Sequence, residues 1–289
     1  MASVNLYDKC TTFGTIQGVK LLSGTELADY IKERQAKQVR NLRQSWQVAP
    51  KLAIIQTVDD PVIATYVRMK QAYGLDISVD VDVVYPKPDD IMTTIATLNS
   101  DHTVHGIIIQ LPLVAGVDID EILQAVDPNK DIDGLGGGDV FVPATAQAID
   151  WLLNGYNVEL RGKKIAIVGN GRLVGAPLAK LWKNAGHDVT VFDEHSKNMT
   201  KSLRRYNVIV SAAGVPSLIL SSSVQPGAVV IDAATTAEHG KIIGDIAKEV
   251  RERNDLTITP EKGGVGPLTV VSLFENVIQA ARATANKEQ

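Results

Sequence analysis

The stretch from Lys163 to Asp193 constrains this chain more than any other. Lys164-Ile-Ala-Ile-Val168 is an apolar run of strand length, and Gly169-Asn-Gly-Arg-Leu-Val-Gly175 follows it directly. A helical pattern over 176–185 comes next, with Pro177 close to its first turn, where a missing N–H costs little. A second strand, 188–192, ends at Asp193. Gly169 permits a tight turn, Gly171 lets the backbone approach a diphosphate, and the helix N–H groups face the phosphate charge. An acid at the end of the second strand accepts hydrogen bonds from ribose hydroxyls. Strand, glycine loop, helix, strand and acid in this order predict a Rossmann unit that binds a nicotinamide dinucleotide. The glycine spacing is G-x-G-x-x-x-G, one residue longer than the usual fingerprint. Expected cofactor contacts are Gly169, Asn170, Gly171, Arg172, Val174, Gly175, Asp193 and Ser196. Ala213, Gly214 and Thr235 join them, because Ser211–Gly214 and Asp232–Thr235 end two further apolar strands with small residues that leave room for a ligand.

The rest of the chain alternates helical and strand patterns. A helix is expected from a Thr25 cap to about Gln44, then a strand at 51–57, a helix at 61–73 and a strand alternating through Ile77, Val79, Val81 and Val83. The acidic face of that strand, Asp80 and Asp82, suits a sheet edge. A helix near 91–98 leads to the apolar run Gly106–Leu111, read as a central strand, and Thr145 is a candidate cap for a helix through Leu153. A last helix is expected over 268–284. Strands separated by helices mean crossover connections and parallel sheets. Asp131–Gly138, rich in Asp and Gly, reads as a loop in a cleft between domains. The fold expected is α/β: two three-layer α/β domains, the second a Rossmann-type doubly wound parallel sheet, with a cleft between them. Their boundaries are placed at 1–143 plus 268–289 for a catalytic domain and 144–267 for the dinucleotide domain.

Bulk properties exclude several functions. A net charge of −4 gives no electrostatic reason to bind nucleic acid. Cys10 is the single cysteine, so no internal disulfide exists, which fits a reducing compartment. Met1–Cys10 lacks the pattern of a secretory signal, and no apolar run is long enough for a membrane span. A cytoplasmic protein without a metal site is expected.

Tyr66 and Lys70, four apart, share a helix face. Gln110-Leu-Pro112 closes an apolar strand, where ligand groups sit in an open α/β sheet. Tyr66-x-x-x-Lys70, Ile109-Gln-Leu-Pro112, Lys130-Asp-Ile-Asp-Gly134 and Gly263-Gly-Val-Gly-Pro-Leu-Thr269 stand in the order found in methylenetetrahydrofolate dehydrogenase/cyclohydrolases. Val174-Gly175-x-Pro177, His195-Ser-Lys197 and Gly244-Asp245 also resemble that family, and the resemblance runs from about Leu52 to Ile278. It implies oxidation of 5,10-methylenetetrahydrofolate to the methenyl cation, then hydrolysis to 10-formyltetrahydrofolate, in a homodimer paired through the nucleotide domains. It implies that Lys70 is the acid/base residue, held by Gln110, with Tyr66 beside the folate and Asp133 on the pterin. Ile109, Leu111 and the turn Gly263, Gly264, Val265, Gly266 and Pro267 complete the implied substrate site. A lysine desolvated beside a cationic intermediate has a lowered pKa, suited to proton exchange near neutrality.

Departures from the family pattern bear on the cofactor. Gly169-Asn170-Gly171 replaces a Gly-Arg-Ser that helps hold the 2′-phosphate of NADP, and Asp193 would repel that phosphate. Both favour NAD, while Lys197 or Arg172 keeps NADP open. The loop after Gly134 is shortened and glycine-rich, Lys262 stands where proline is usual, and Ala233-Ala-Thr235 replaces Val-Gly-Ile. A dehydrogenase without cyclohydrolase activity, or a non-catalytic folate- or dinucleotide-binding module, are the competing readings.

Overall fold

The computed structural model describes residues 20–234, 236–238 and 241–287, so Cys10 and Thr235 lie outside the described residues. The chain divides into two units, one of residues 20–27 with Ala148–Leu268, the other of Ala28–Gln147 with the residues from Thr269 onward. Compared with the boundaries expected at 143/144 and 267/268, the main difference is the segment 20–27. It carries β1 (Lys20–Leu21), which pairs in parallel with β11 (Thr257–Ile258), so backbone hydrogen bonds group it with the second half of the chain.

The unit Ala28–Gln147 is built on β2 (Lys51–Ile55), β3 (Asp80–Val84) and β4 (Gly106–Ile109), parallel and in the order β3-β2-β4. Leu52, Ile54 and Ile108 face one core with residues of α1 (Gly24–Ser45), α2 (Pro61–Ile77) and α9 (Val265–Lys287), among them Val39, Val67 and Phe274. Ala53, Ile55, Ile107 and Ile109 face the other, with Ile91 and Ile95 of α3 (Ile91–Ser100) and Ile122 of α4 (Ile119–Gln124). Helices on both faces make three layers, as an all-parallel sheet requires. Helix α2 begins where Asp60 accepts the Val62 and Ile63 N–H groups, with Pro61 in its first turn. It runs one turn beyond expectation and stops at Ser78, whose φ of 64° is left-handed. Ile77, buried at the helix end, is therefore not part of the strand. Strand β3 is the expected edge, and its outward acids pair with cations, Asp80 with Arg43 at 3.0 Å and Asp82 with Lys51 at 2.7 Å.

Strand β4 stands at the sheet's end rather than its centre. Its outer edge is covered by a parallel bridge between Ile107 and Asp131, so its isoleucines are buried on both faces all the same. That bridge brings the Asp131–Gly134 segment alongside the strand.

The other unit holds a parallel sheet in the order β1-β11-β8-β7-β5-β6, with β5 at Lys164–Val168, β6 at Asp188–Phe192, β7 at Val208–Ser211 and β8 at Val229–Asp232. Strand β5 runs through α6 (Gly175–Asn184) to β6 on one side; the chain then returns through α7 (Met199–Leu203) to β7 on the other. Helix α5 (Ala144–Gly155) is tied to α6 by a hydrogen bond from Trp182 Nε1 to Asp150 at 2.9 Å. A hairpin of β9 (Thr236–Glu238) and β10 (Lys241–Ile243) and a short α8 (Lys248–Arg251) complete this unit. The cap of α1 is Ser23, whose Oγ accepts the Glu26 N–H, rather than Thr25. Thr25 and Gly24 instead donate their N–H groups to Gly263 O, at 3.1 and 2.8 Å. Helix α9 begins at Val265, three residues before the expected start, so Gly266 and Pro267 lie in its first turn.

Candidate active site

In an open parallel sheet, ligands bind outside the strand carboxyl ends where the winding direction reverses. The three-stranded sheet reverses beside β2: α2 carries the chain to β3 on one side, and α3 carries it back to β4 on the other. Gln110 emerges there, directly after β4, and its N–H bonds Ile55 O at 2.9 Å. The parallel register thus continues one step and sets Gln56 opposite Gln110. Their side chains point to the face that carries α2, since Leu52, Ile54 and Ile108 of the same alternation do so. From α2, Lys70 donates from Nζ to Gln110 Oε1 at 2.8 Å, and Gln110 in turn donates from Nε2 to Leu111 O at 3.1 Å. The amide is thereby oriented with its oxygen toward the lysine. The Leu111–Pro112 peptide is cis.

Burial pushes the Lys70 ammonium below its ordinary range, opposed by the negative charge of Asp133. Burial pushes the Asp133 carboxyl up, against the pull of Lys70. The two groups therefore feel each other's charge and belong to one electrostatic site. Tyr66, half-buried one turn before Lys70, lies on the same helix face. Ile109 is buried under the sheet and Leu111 half-buried at its exit.

Two supporting residues had no sequence signal of their own. Gln56 is buried, its Nε2 donates to Val58 O at 2.9 Å, and among the described residues its Oε1 has no partner. An unmatched buried acceptor next to Gln110 is a costly arrangement unless a bound group meets it. Three residues after Lys70, Tyr73 donates to Gln35 at 2.8 Å, and Gln35 donates to Glu275 at 3.0 Å, which pairs with Arg34 at 2.8 Å. This network fixes α2 against α1 and α9. Gln35 is wholly buried, which only the structure shows.

The larger sheet reverses between β5 and β7, and the glycine loop follows β5 there. Gly169 has φ +98°, and a Cβ on it would lie 2.5 Å from Ala212 O. A Cβ on Gly175 would lie 1.9 Å from Gly169 O, so α6 starts against the loop in a way only glycine allows. Gly171 has open space instead, with nothing within 4 Å of an added Cβ. A tight turn, a helix start and an open glycine form a cradle that fits a diphosphate. Asn170, Gly171 and Arg172 are exposed, and Val174 immediately precedes the helix.

Ala213 and Gly214 follow β7, and their loop is organised by Asp245, which is wholly buried. Its carboxylate accepts Ser211 Oγ at 2.7 Å, Ala213 N at 2.8 Å and Val215 N at 2.8 Å. Asp232 accepts the Asp245 N–H at 3.1 Å and pairs with Arg251 at 2.6 Å. At the end of β6, Asp193 is exposed and accepts His195 N at 3.1 Å and Ser196 Oγ at 2.9 Å. The Ser196 hydroxyl holds its carboxyl below the usual range, so it is anionic at neutral pH. Gly263 and Gly264 have a packing duty: Gly263 adopts φ +78°, and a Cβ on Gly24 would overlap Gly264 O at 1.7 Å. Among the described residues no cluster of His, Cys, Asp or Glu could hold a metal, and no helix is long and apolar enough to cross a membrane.

Comparison with known proteins agrees with this layout. Residues 22–133 match the model of the tetrahydrofolate dehydrogenase/cyclohydrolase catalytic domain, and residues 143–285 match that of the family's NAD(P)-binding domain. The bifunctional protein FolD of Nautilia profundicola is 33% identical over 282 residues, covering 92% of this chain and 99% of that protein. The crystal structure of the bifunctional enzyme FolD, methylenetetrahydrofolate dehydrogenase/cyclohydrolase, from Campylobacter jejuni is 33% identical with a TM-score of 0.87, over 92% of this chain and 99% of that one. The Trypanosoma brucei dehydrogenase-cyclohydrolase, solved with NADP and an inhibitor, is 28% identical with a TM-score of 0.87, over 92% of this chain and 98% of that one. Two family domains in sequence, spanning nearly the whole chain, place it in the tetrahydrofolate dehydrogenase/cyclohydrolase family, with a domain for a nicotinamide dinucleotide.

Proposed function

We propose that this chain oxidises 5,10-methylenetetrahydrofolate to the 5,10-methenyl cation and hydrolyses that cation to 10-formyltetrahydrofolate. The observation that carries the reading is the desolvated Lys70, bonded to Gln110 at 2.8 Å at the reversal of the three-stranded sheet, in a chain of this family. Hydrolysis needs a base for the attacking water and an acid for the departing ring nitrogen. With its pKa lowered, Lys70 takes one proton of water as the C–O bond forms; the resulting ammonium gives it to N5 as the C–N5 bond breaks, and the hydroxyl proton leaves to solvent as the formyl C=O forms, the one net proton released. The positive charge of the methenyl group favours the neutral amine in the same way that burial does. Gln110 holds the nitrogen in place through both protonation states. Asp133 takes the N–H donors of the pterin, Tyr66 packs beside it, and Leu111 lies next to Gln110 in the same surroundings.

A bound nicotinamide supplies the hydride acceptor for the oxidation. Gly169, Gly171 and Gly175 with the start of α6 would hold its diphosphate, and Ala213 and Gly214 would flank it. We assign NAD as the preferred form. The Asp193 carboxylate suits free ribose hydroxyls and opposes a 2′-phosphate, and Asn170-Gly171 puts no cation where the family has Arg-Ser. The chain works as a homodimer joined through its nucleotide units, in the cytoplasm.

Steady-state assays with methylenetetrahydrofolate and NAD or NADP in parallel test the reading. Turnover with NAD preferred, and loss of added methenyl substrate without cofactor, is expected. Methenyl product that accumulates without hydrolysis would make the chain a dehydrogenase only. No turnover with either cofactor would leave a binding module.

A further inference from the structure

We propose that Asn276 is a positioning residue for Asp133: its side-chain amide ties together the two ends of the loop that carries this carboxylate. The proposal rests on the reading of Asp133 as a folate-binding group. Asn276 lies on α9 and is almost wholly buried. Its Nδ2 donates to Ile132 O at 2.8 Å and to Val142 O at 3.0 Å. Those carbonyls bracket the segment 133–141, so one rigid amide uses both of its N–H groups to close the loop at its neck.

The segment forms no helix or strand and contains Gly134, Gly136, Gly137 and Gly138, a composition with much backbone freedom to lose. Inside the loop, Asp131 accepts the N–H groups of Gly134 at 3.1 Å and Gly136 at 2.7 Å, which fixes its first turn. Ile132 is seated from the other side: a Cβ on Gly106 would lie 2.9 Å from Ile132 Cγ1, so that glycine provides its hollow. Asp133 is the next residue along. Its backbone position is therefore set by Asn276 and Gly106, and the direction of its side chain by the turn that Asp131 holds. Nothing in this arrangement involves the dinucleotide.

The test measures KM for methylenetetrahydrofolate and for the dinucleotide in Asn276→Leu, which keeps the volume and removes both donors, and in Asn276→Ser, which keeps one. The expected result is a folate KM raised about tenfold in the leucine variant, less in the serine variant, with the dinucleotide KM unchanged. Asp133→Asn is measured alongside. If Asp133→Asn raises the folate KM and neither Asn276 variant does, the proposal is overturned. If Asp133→Asn has no effect on the folate KM, the reading of Asp133 itself fails. Equal loss of folate and dinucleotide binding would mark Asn276 as a general fold element and also overturn the proposal. Should the leucine variant fail to fold, the serine variant decides by the same split.

Discussion

At the reversal of the three-stranded sheet the chain places Gln56, Gln110 and, from α2, Lys70. At the reversal of the six-stranded sheet it places Gly169, Ala212 and Ala213. Both regions obey the same topological rule, yet they fill the crevice in opposite ways. The first brings polar side chains into a desolvated position and orients them with amides; the second keeps side chains small or absent so that a ligand can approach the main chain closely. Proton transfer needs a group whose pKa is moved by burial, whereas a diphosphate needs close approach to main chain. Their supports differ accordingly. Lys70 is held by the neutral amide of Gln110, on a helix fixed through Tyr73 and Gln35 to the Glu275–Arg34 pair, and the loop after β7 rests on the buried carboxylate of Asp245.

The largest effect expected from breaking one side alone is that of Lys70→Met. Methenyl hydrolysis should fall by about a hundred- to ten-thousand-fold, while dinucleotide affinity measured by fluorescence titration stays as it was. A loss of both would mean that the two regions are not separable. Asp245→Ala breaks the other side. Three donors lose their acceptor, which should cost about 3 kcal/mol in chemical unfolding and raise the dinucleotide KM, with hydrolysis per folded molecule little changed. An unaltered dinucleotide KM would show that the Ala213–Val215 loop is ordered by something else. The smallest effect sharpens the nucleotide side: Asp193→Ser should shift the NADP-to-NAD ratio of kcat/KM by about tenfold, or about 1.4 kcal/mol, toward NADP. An unchanged ratio would remove Asp193 from the ribose.

The legible features were those that depend on local pattern. The strand–loop–helix–strand unit from Lys164 to Asp193 was readable because its glycines, apolar runs and terminal acid lie close together in the chain. Gln110 was readable from its place at the end of an apolar strand, whereas the role of Lys70 was readable only through the family resemblance, since a Tyr-x-x-x-Lys pair on a helix has no specific signature. Less legible was whatever depends on partners far away in sequence. Strand β4 was placed in the sheet centre because Ile107–Ile109 are apolar on both faces, but the segment at Asp131 covers the edge instead. Ile77 alternates with Val79 and Val81, and only the left-handed Ser78 ends the helix after it. Asn276 and Gln35 are ordinary polar letters in the chain, and the part of Asp245, which the resemblance marked without a role, likewise comes from burial and from bonds to residues far from it in sequence.

The central claim is that Lys70 performs the proton transfer because burial lowers its pKa. For a lysine so shifted, the neutral amine becomes populated at a pH below the usual 10.5, so the base-dependent rate should rise on a limb below that value. The direct measurement is the pH dependence of kcat/KM for hydrolysis of the methenyl substrate, corrected for the uncatalysed reaction and repeated with Lys70→Met. The account predicts a limb below pH 10.5 in the wild-type protein and none in the variant. The same limb persisting in Lys70→Met would contradict it.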